Sequence, residues 1–537
     1  MINKYTATDK QFMFNVVDIE TDERGRFTDG CVFNGYDYWF FKDSQKLAEF
    51  IALNAGVYYA HAGMRFDFVL LFSELIQYSD WDVNFAGSTA VMMKSKTVTL
   101  LDSYRLIPVS LAAASGRFSD VKKVDLGGKM PWELPEDERI EYLRVDCLSL
   151  WNVIDNFYKL ISTHFTRAFA PTLPSLALKL WRATLKKPIM VTMNDKVLEF
   201  EKSSYFGGLC WVNDKYVGDV YDVVTIDVNS MYPYQMLGLF PASYRGGWSK
   251  KFNKRSVGLW RVKYVTDGLP FIFDVNTRSL THEGVGIVDT ETVNFLMENY
   301  WVDVEIGYIY SDTDYIFKDF IEHAYKLRLT GDDALSFTAK ILMNSLYGKF
   351  AQKPEGRRIT TKYPGVGEKF KVSSVGGSEV FEVFESSSIS HRFVVLSSLV
   401  TLRARLHLKK LSVSLGCEIS YCDTDSLHLI APPNLTPDKD LGGYKKEFDG
   451  RIVYLGKKLY QMLDENNQPV VTKCKGVPKA VIKNVSFVDF ICEVFTFNPF
   501  PSILEVVHKD TEFGVKYATR TIKKTVKDSP KFSRENE

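Results

Sequence analysis

The sequence predicts an α/β protein of several domains, and three observations carry that expectation. At 537 residues the chain has room for roughly three or four domain-sized units. Hydrophobic residues make up 45% of it and charged residues 25%, the balance of a folded globular chain rather than a disordered or fibrous one. Strand-like runs also alternate with helical patterns along its length, without an internal repeat or a low-complexity tract.

The elements follow in order. "FMFNVVDIE" (12–20) reads as a strand, and residues 1–168 as a unit of short strands and helices. A second unit opens near "SSYFGGLCW" (203–211) and contains "DVVTIDVNSMYPYQM" (222–236), where an apolar strand ends and Pro233 suits the first turn of a helix. Residues 316–350 read as a helical hairpin. Ile316, Phe317, Phe320, Ile321, Ala324 and Leu327 fall at helical spacing on its first arm, and "TGDD" (330–333) makes the turn. The second arm runs through "ALSFTAKILMNSLYGKF". Residues 353–392, rich in Gly, Pro, Ser and charge, read as a loop or β-ribbon insertion.

Formal net charge is only +1, which excludes a uniformly basic nucleic-acid coat and leaves local basic patches. The tail from Lys509 to Glu537 carries eight Lys/Arg against five Asp/Glu, and reads equally as such a patch or as a frayed, solvated end. Seven cysteines without a C-x-x-C pair read as buried thiols of a reducing compartment. The N-terminus lacks a signal-peptide apolar core, and no run approaches the ~18 apolar residues of a membrane span. The expected setting is therefore intracellular, without a membrane.

Tyr-x-Asp-Thr-Asp occurs twice, at 310–314 and 421–425. In the later copy Ile419, Tyr421, Leu427 and Leu429 alternate with Ser420, Ser426 and His428, the pattern of a β-hairpin with Asp423 and Asp425 at its tip. The earlier copy leaves a strand and enters the helix beginning near Ile316, so Asp312, Thr313 and Asp314 read as N-cap and first-turn residues. That makes the later copy the catalytic candidate.

Asp227 ends the strand carrying Val223, Val224 and Ile226, and the N–H groups from Val228 to Met231 would suit a polyphosphate. Lys340, Asn344 and Tyr347 fall at i, i+4 and i+7 on one helix face, with Arg328 near the end of the opposing arm. Acids to hold divalent metal, cations to neutralise phosphate and a tyrosine to pack on a base together suggest nucleotidyl transfer. Nearer the N-terminus, Asp18 and Glu20 form a D-x-E pair, "AHAGMRFDF" supplies Asp67, and Tyr142 and Asp146 lie one helical turn apart. Four such acids suffice for a two-metal nuclease, with Tyr142 orienting the attacking water.

These residues resemble the family B DNA polymerases. "DVNSMYP" is similar to motif A (D-x-x-S-L-Y-P, with Met231 for Leu), "KILMNSLYG" (340–348) to motif B and "YCDTDS" (421–426) to motif C, in the family's order. That order independently rejects the copy at 310–314, which precedes motif B. "YFGG" (205–208) resembles a Y-x-G-G motif, "TLRAR" (401–405) a T-x-x-A/G-R motif, "KLY" (458–460) a K-x-Y motif, and "KCKGVPK" (473–479) a segment downstream of these. With the compact length, the set resembles the protein-primed branch of small phages and linear plasmids.

The resemblance implies an RNase H-like 3′–5′ exonuclease domain followed by a right-hand polymerase of palm, fingers and thumb with two insertions. The implied borders are 1–168 exonuclease, 169–243 first part of the palm, 244–325 a terminal-protein-type insertion, 326–352 fingers, 353–392 a second insertion, 393–495 second part of the palm and 496–537 thumb. It implies two Mg²⁺ ions at the polymerase site, on Asp227, Val228 and Asp425 with Asp423 beside them, and two at the exonuclease site, on Asp18, Glu20 and Asp146 with Asp67. Mn²⁺ is an alternative ion. Arg328 and Lys340 would bind the triphosphate, Asn344 would line the same site, Tyr347 would stack on the nascent pair and Tyr232 would exclude a 2′-hydroxyl. Tyr205, Gly207, Gly208, Thr401, Arg405, Lys458 and Tyr460 would hold template and primer. His61, Phe66, Ser110, Leu111 and Lys123 (with Lys122) would hold a single strand at the exonuclease.

One position departs from the pattern. The family has Asn after the His of its second exonuclease motif, and this chain has Ala62, which implies a weakened rather than absent exonuclease. The expected partners are DNA template and primer, dNTPs and a terminal protein, for a monomer in the cytoplasm of a host cell that copies a linear genome with strand displacement. Two other readings stand beside this one. A family B polymerase could extend only nucleic-acid primers, or a catalytically dead subunit could retain only DNA binding.

Overall fold

The N-terminal unit is built on three parallel strands, Asn15–Thr21, Gly56–Ala60 and Val98–Asp102. Antiparallel strands flank them, Phe27–Phe33 and Tyr38–Phe41 on one side, Thr89–Lys94 and Asp82–Ala86 on the other. Along "NVVDIET" successive residues point to opposite faces. Val16 packs in the layer of the long helix Glu136–His164, and Val17 in that of helix Ser44–Leu53. Both faces are thus covered, as a parallel sheet requires. This computed structural model describes residues 13–87, 89–121, 124, 126–189, 194–365, 367–386 and 389–477, and beyond these only 482, 485, 495–497, 503, 506 and 520–522.

The segment expected to be a loop or ribbon is a ribbon. Strands Glu355–Thr360, Ser378–Ser386 and Lys369–Val375 extend the same sheet to ten strands, because Glu355–Thr360 pairs with Asp82–Ala86. Ile359 sits opposite Val83, and both are fully buried. Arg358 bonds Asp82 across the seam, and Glu368 and Glu385 within the ribbon itself.

A second sheet of seven strands, in the order Pro469–Cys474, Leu459–Leu463, Tyr444–Gly456, Val220–Val228, Ser426–Ile430, Glu418–Asp423 and Cys210–Val212, carries the later aspartate copy. Between its first and later strands comes a four-stranded sheet (Gly246–Ser249, Trp301–Tyr310, Val257–Val265, Glu283–Asp289) with helix Thr290–Asn299. Helices Leu173–Thr184, Asp195–Ser204 and Val394–Leu415 join the layers into one large apolar core.

The helical hairpin is present as Lys318–Arg328 and Asp333–Leu346. Gly331 takes φ +85° in the turn, and Asp332 caps the second arm by accepting from Leu335 N–H at 2.7 Å. The start of the first arm corrects one expectation. Thr313–Asp314 is a short strand paired with Phe240–Pro241, and the helix begins at Lys318 with no side-chain cap. Asp312 is exposed, and the Asp314 carboxylate accepts from the N–H of its own neighbour Tyr315 at 2.8 Å. Burial explains the choice. Phe317 and Phe320, both fully buried, are each worth ~1.5–3 kcal/mol. A cap is worth ~1 kcal/mol, so packing fixes where the helix starts.

Four of the described cysteines are buried, but Cys210 and Cys417 are half-buried, so the expectation of uniformly buried thiols is corrected for those two. No helix among the described residues is long and apolar enough to cross a membrane. Of the tail from Lys509 only Arg520–Ile522 is described, nearly all of 496–537 lies outside the described residues, and so do Lys122, Lys123, Pro478 and Lys479.

Candidate active site

Three carboxylates meet at one end of the seven-stranded sheet. Asp227 closes strand Val220–Val228, where Ser426 and Lys445 oppose it on the two neighbouring strands. Asp423 and Asp425 occupy the tip of the hairpin Glu418–Asp423/Ser426–Ile430, as the alternation predicts. The turn is tight. Thr424 takes φ +67°, Asp425 N–H donates to Asp423 O at 2.8 Å, and Val228 N–H donates to Asp425 O at 2.8 Å. That last bond ties the hairpin tip to the strand of Asp227.

The polar residues of this alternation are internal: Ser420 and His428 are buried, and both bond the Tyr454 hydroxyl, Ser420 at 3.1 Å and His428 at 2.8 Å. Burial pushes the His428 imidazole down to about 3, so it is neutral. A rigid aromatic base of Tyr421, Tyr454 and Tyr460 supports the tip.

Charge is crowded above this base. Burial, then Asp227 and Asp423, push the Asp425 carboxyl up to about 7. Asp227 is also raised, by burial and Glu447, against the lowering pull of Lys445 and Lys340. Lys445 lies 3.3 Å from Asp227, and Lys458 lies 2.9 Å from Asp423. The carboxylates open into a cleft of about 1430 Å³ whose wall includes Lys445, Lys446, Lys458, Lys473 and Lys475.

Around the cleft, Arg328 donates to the Ser230 hydroxyl, which puts its guanidinium over the turn after Asp227. Lys340 is exposed on helix Asp333–Leu346 and acts electrostatically on Asp227, and Asn344 follows one turn later, half-buried. Tyr232 and Tyr347 pack ring to ring at 4.5 Å. A Cβ on Gly208 would lie 2.5 Å from the Tyr232 hydroxyl and 3.2 Å from Thr424, so the glycine admits that tyrosine to the site. Gly207 has open space on its Cβ side and accepts from Arg405 at 2.7 Å. Tyr205 is half-buried, within electrostatic reach of Tyr347.

Three expected DNA contacts are corrected by burial. Arg405 is 2% exposed and spends its guanidinium on the carbonyls of Phe206, Gly207 and Phe271. It straps the Y-x-G-G loop to helix Val394–Leu415 instead of reaching a phosphate. Thr401 is buried and donates to Ser398 O within that helix. Tyr460 is buried against Tyr421 and His428, leaving little ring to stack on a base.

The second acidic set lies at the ends of the parallel strands. Asp18 and Glu20 are on Asn15–Thr21, Asp67 opens the short helix Asp67–Leu70, and Tyr142 and Asp146 are buried on Glu136–His164. Asp67 accepts from Ile19 N–H at 3.2 Å, which draws it to the D-x-E strand, and burial pushes its carboxyl up to about 7. Asp102, missed in the sequence, is fully buried at the end of the third parallel strand, accepts from Tyr104 N–H at 2.9 Å and bears electrostatically on Asp67. Its only sequence signal was its place at a strand end.

The single-strand contacts expected here are corrected in part. His61 has both ring nitrogens engaged, with Ser103 Oγ and Val109 O at 2.9 Å each. Leu111 is buried in the core, and Ser110 caps helix Leu111–Phe118 through Ala113 N–H while staying exposed. Phe66 is half-buried beside Asp67. Lys123 lies outside the described residues.

No three His, Cys, Asp or Glu among the described residues form a ready-made cage for a metal ion. The donor set at the cleft still fits Mg²⁺, which characteristically takes one or two carboxylates together with substrate phosphates. Asp425, whose carboxyl is pushed up to about 7 by burial and then by Asp227 and Asp423, is the group whose charge a cation would stabilise.

A family model described as "DNA polymerase type B, organellar and viral" matches residues 128–373. The DNA polymerase of Bacillus phage Nf is 27% identical over 335 residues, 54% of this chain and 57% of that protein. The DNA-directed DNA polymerase of Enterobacteria phage PRD1 is 26% identical over 453 residues, 76% of this chain and 74% of that protein. A probable DNA polymerase of Neurospora intermedia is 25% identical over 373 residues, 61% of this chain and 38% of that protein. The chain thus spans little more than half the length of the phage Nf protein, and less of the fungal one. A solved structure of phi29 DNA polymerase complexed with primer-template DNA superposes with a TM-score of 0.74 at 18% identity, over 95% of this chain and 100% of that one. That likeness shows the fold. The family B resemblance read from the motifs, and the multidomain α/β class expected with it, are both borne out.

Proposed function

We propose that the chain is a template-directed DNA polymerase that transfers deoxynucleotides with the help of two divalent ions. The observation that carries this is the meeting of Asp227, Asp423 and Asp425, from motifs in the family's order, at a lysine-walled cleft. Asp227, Asp425 and the Val228 carbonyl would hold the ions, which when bound activate the attacking 3′-hydroxyl and neutralise the leaving pyrophosphate.

The protein's own groups do the rest. Arg328 and Lys340 offset triphosphate charge from the fingers side, with Asn344 alongside. Tyr347 and Tyr232, packed together, would make a floor for base and sugar, with the Tyr232 ring placed to exclude a 2′-hydroxyl. Lys458 leaves Asp423 for the primer end, and Tyr205 with the exposed Gly207 lines the DNA path.

The reading extends to a 3′–5′ exonuclease at Asp18, Glu20, Asp67 and Asp146, with Tyr142 orienting water, and to priming on the hydroxyl of a terminal protein. Segment 244–325 would hold that protein, and 353–392 would lead the displaced strand. The similarity to phage polymerases supports both extensions. Extension of a labelled primer on a single-stranded template with Mg²⁺ and four dNTPs tests the core claim, and Asp227→Ala should abolish it. Transfer of a labelled nucleotide to a protein hydroxyl tests priming, and its absence beside normal extension favours a nucleic-acid-primed enzyme.

A further inference from the structure

Lys445 belongs to none of the motifs, yet it is built into the cleft. Strand register sets it opposite Asp227. Its ammonium is 3.3 Å from the Asp227 carboxylate and 2.5 Å from Glu447. The pairing of Tyr444–Gly456 with Val220–Val228 slips between Lys446 and Phe448, which leaves Glu447 as the extra residue of a β-bulge. Bulges re-aim side chains beside active sites, and this one brings Glu447 back to its near neighbour's ammonium.

One cation therefore sits between two acids of different standing. Asp227 is the more sheltered, its side chain 20% exposed against 43% for Glu447, and it faces the other two carboxylates. We infer that Lys445 is a resident counter-ion for Asp227, handed over to Glu447 when a divalent ion binds, and that this exchange sets the metal requirement of the cleft. The inference rests on the polymerase reading only in taking Asp227 as a metal ligand.

The charges dictate the direction. A dication on Asp227 repels the ammonium, and Glu447, already in contact, keeps it without a change of backbone. Before the ion arrives, Lys445 offsets the repulsion that Glu447 exerts on an ionised Asp227. The chain gains an aspartate held charged and oriented for metal, at the cost of competing with that metal. Lys445 is thus a positioning residue.

The test is a Mn²⁺ titration of the full chain without DNA or nucleotide, followed by electron paramagnetic resonance. Lys445→Met, which keeps the apolar stem, should bind the ion about fivefold more tightly, the scale of a half-exposed ion pair. Glu447→Gln should bind it more weakly, because the ammonium then has no second acid. The double variant Lys445→Met/Glu447→Gln should match Lys445→Met. Unchanged or weaker binding in Lys445→Met, or a Glu447→Gln effect that survives in the double variant, overturns the exchange. Primer extension run alongside separates the two claims. Wild type that binds Mn²⁺ but extends no primer defeats the polymerase reading, while the titration still decides Lys445.

Discussion

Ala62 holds a left-handed backbone conformation, φ +62°, in the turn between His61 and the helix that opens with Asp67. Asn adopts that conformation more readily than Ala, and Gly most readily of all. Ala62→Gly should therefore stabilise the protein by about 1 kcal/mol, read from denaturant unfolding. Ala62→Asn should speed excision on single-stranded DNA, and equal rates in the two proteins would remove the claim of an attenuated exonuclease. The departure was visible in the sequence, but the strained backbone beneath it was not. The same divide separates the aspartates from the basic residues. Asp227, Asp423 and Asp425 were legible because strand ends and hairpin tips are local patterns. Arg405 was misread because its partners Phe206, Gly207 and Phe271 lie 134 to 199 residues away.

Glu201 joins three elements. It sits fully buried on helix Asp195–Ser204, accepts from the Tyr310 hydroxyl at 2.7 Å and the Tyr244 hydroxyl at 3.4 Å, and accepts from Val395 N–H at 3.2 Å. Burial pushes its carboxyl up to about 8 despite these donors. Because the folded value lies above the ordinary 4.5, the folded chain binds more protons than the unfolded one between those limits. Stability contributed at this site should be full below about 4.5 and should decline as pH rises toward about 8. Glu201→Gln should remove that decline and exceed wild type by about 1–3 kcal/mol above it, compared by thermal melts across the range. An identical pH profile in the two proteins would contradict the buried-acid account. At this scale the helical hairpin was legible from its apolar period and its "TGDD" turn. The cap expected at Asp312–Asp314 was not, since tertiary burial of Phe317 and Phe320 overrides local capping chemistry.

Across the molecule, the ribbon at 355–386 and the N-terminal unit share one sheet, sealed by Ile359 on Val83 and by Arg358 on Asp82. Arg358→Ala should raise hydrogen exchange in Asp82–Ala86 and Glu355–Thr360 together, by roughly fivefold or less for a partly exposed network. Exchange rising in only one of the two strands would show that the seam does not couple them. The sequence left a loop or a ribbon open there and gave no sign of its docking, because pairing between residues more than 270 apart leaves no periodic trace in either segment. The central claim concerns which aspartate copy does chemistry. Primer extension on a single-stranded template with Mg²⁺ and all four dNTPs, comparing wild type, Asp425→Ala and Asp312→Ala, tests it most directly. The account predicts that Asp425→Ala abolishes synthesis while Asp312→Ala, in an exposed bend before strand Thr313–Asp314, extends as wild type does. Loss of synthesis in Asp312→Ala with Asp425→Ala active, or no product from wild type, would contradict it.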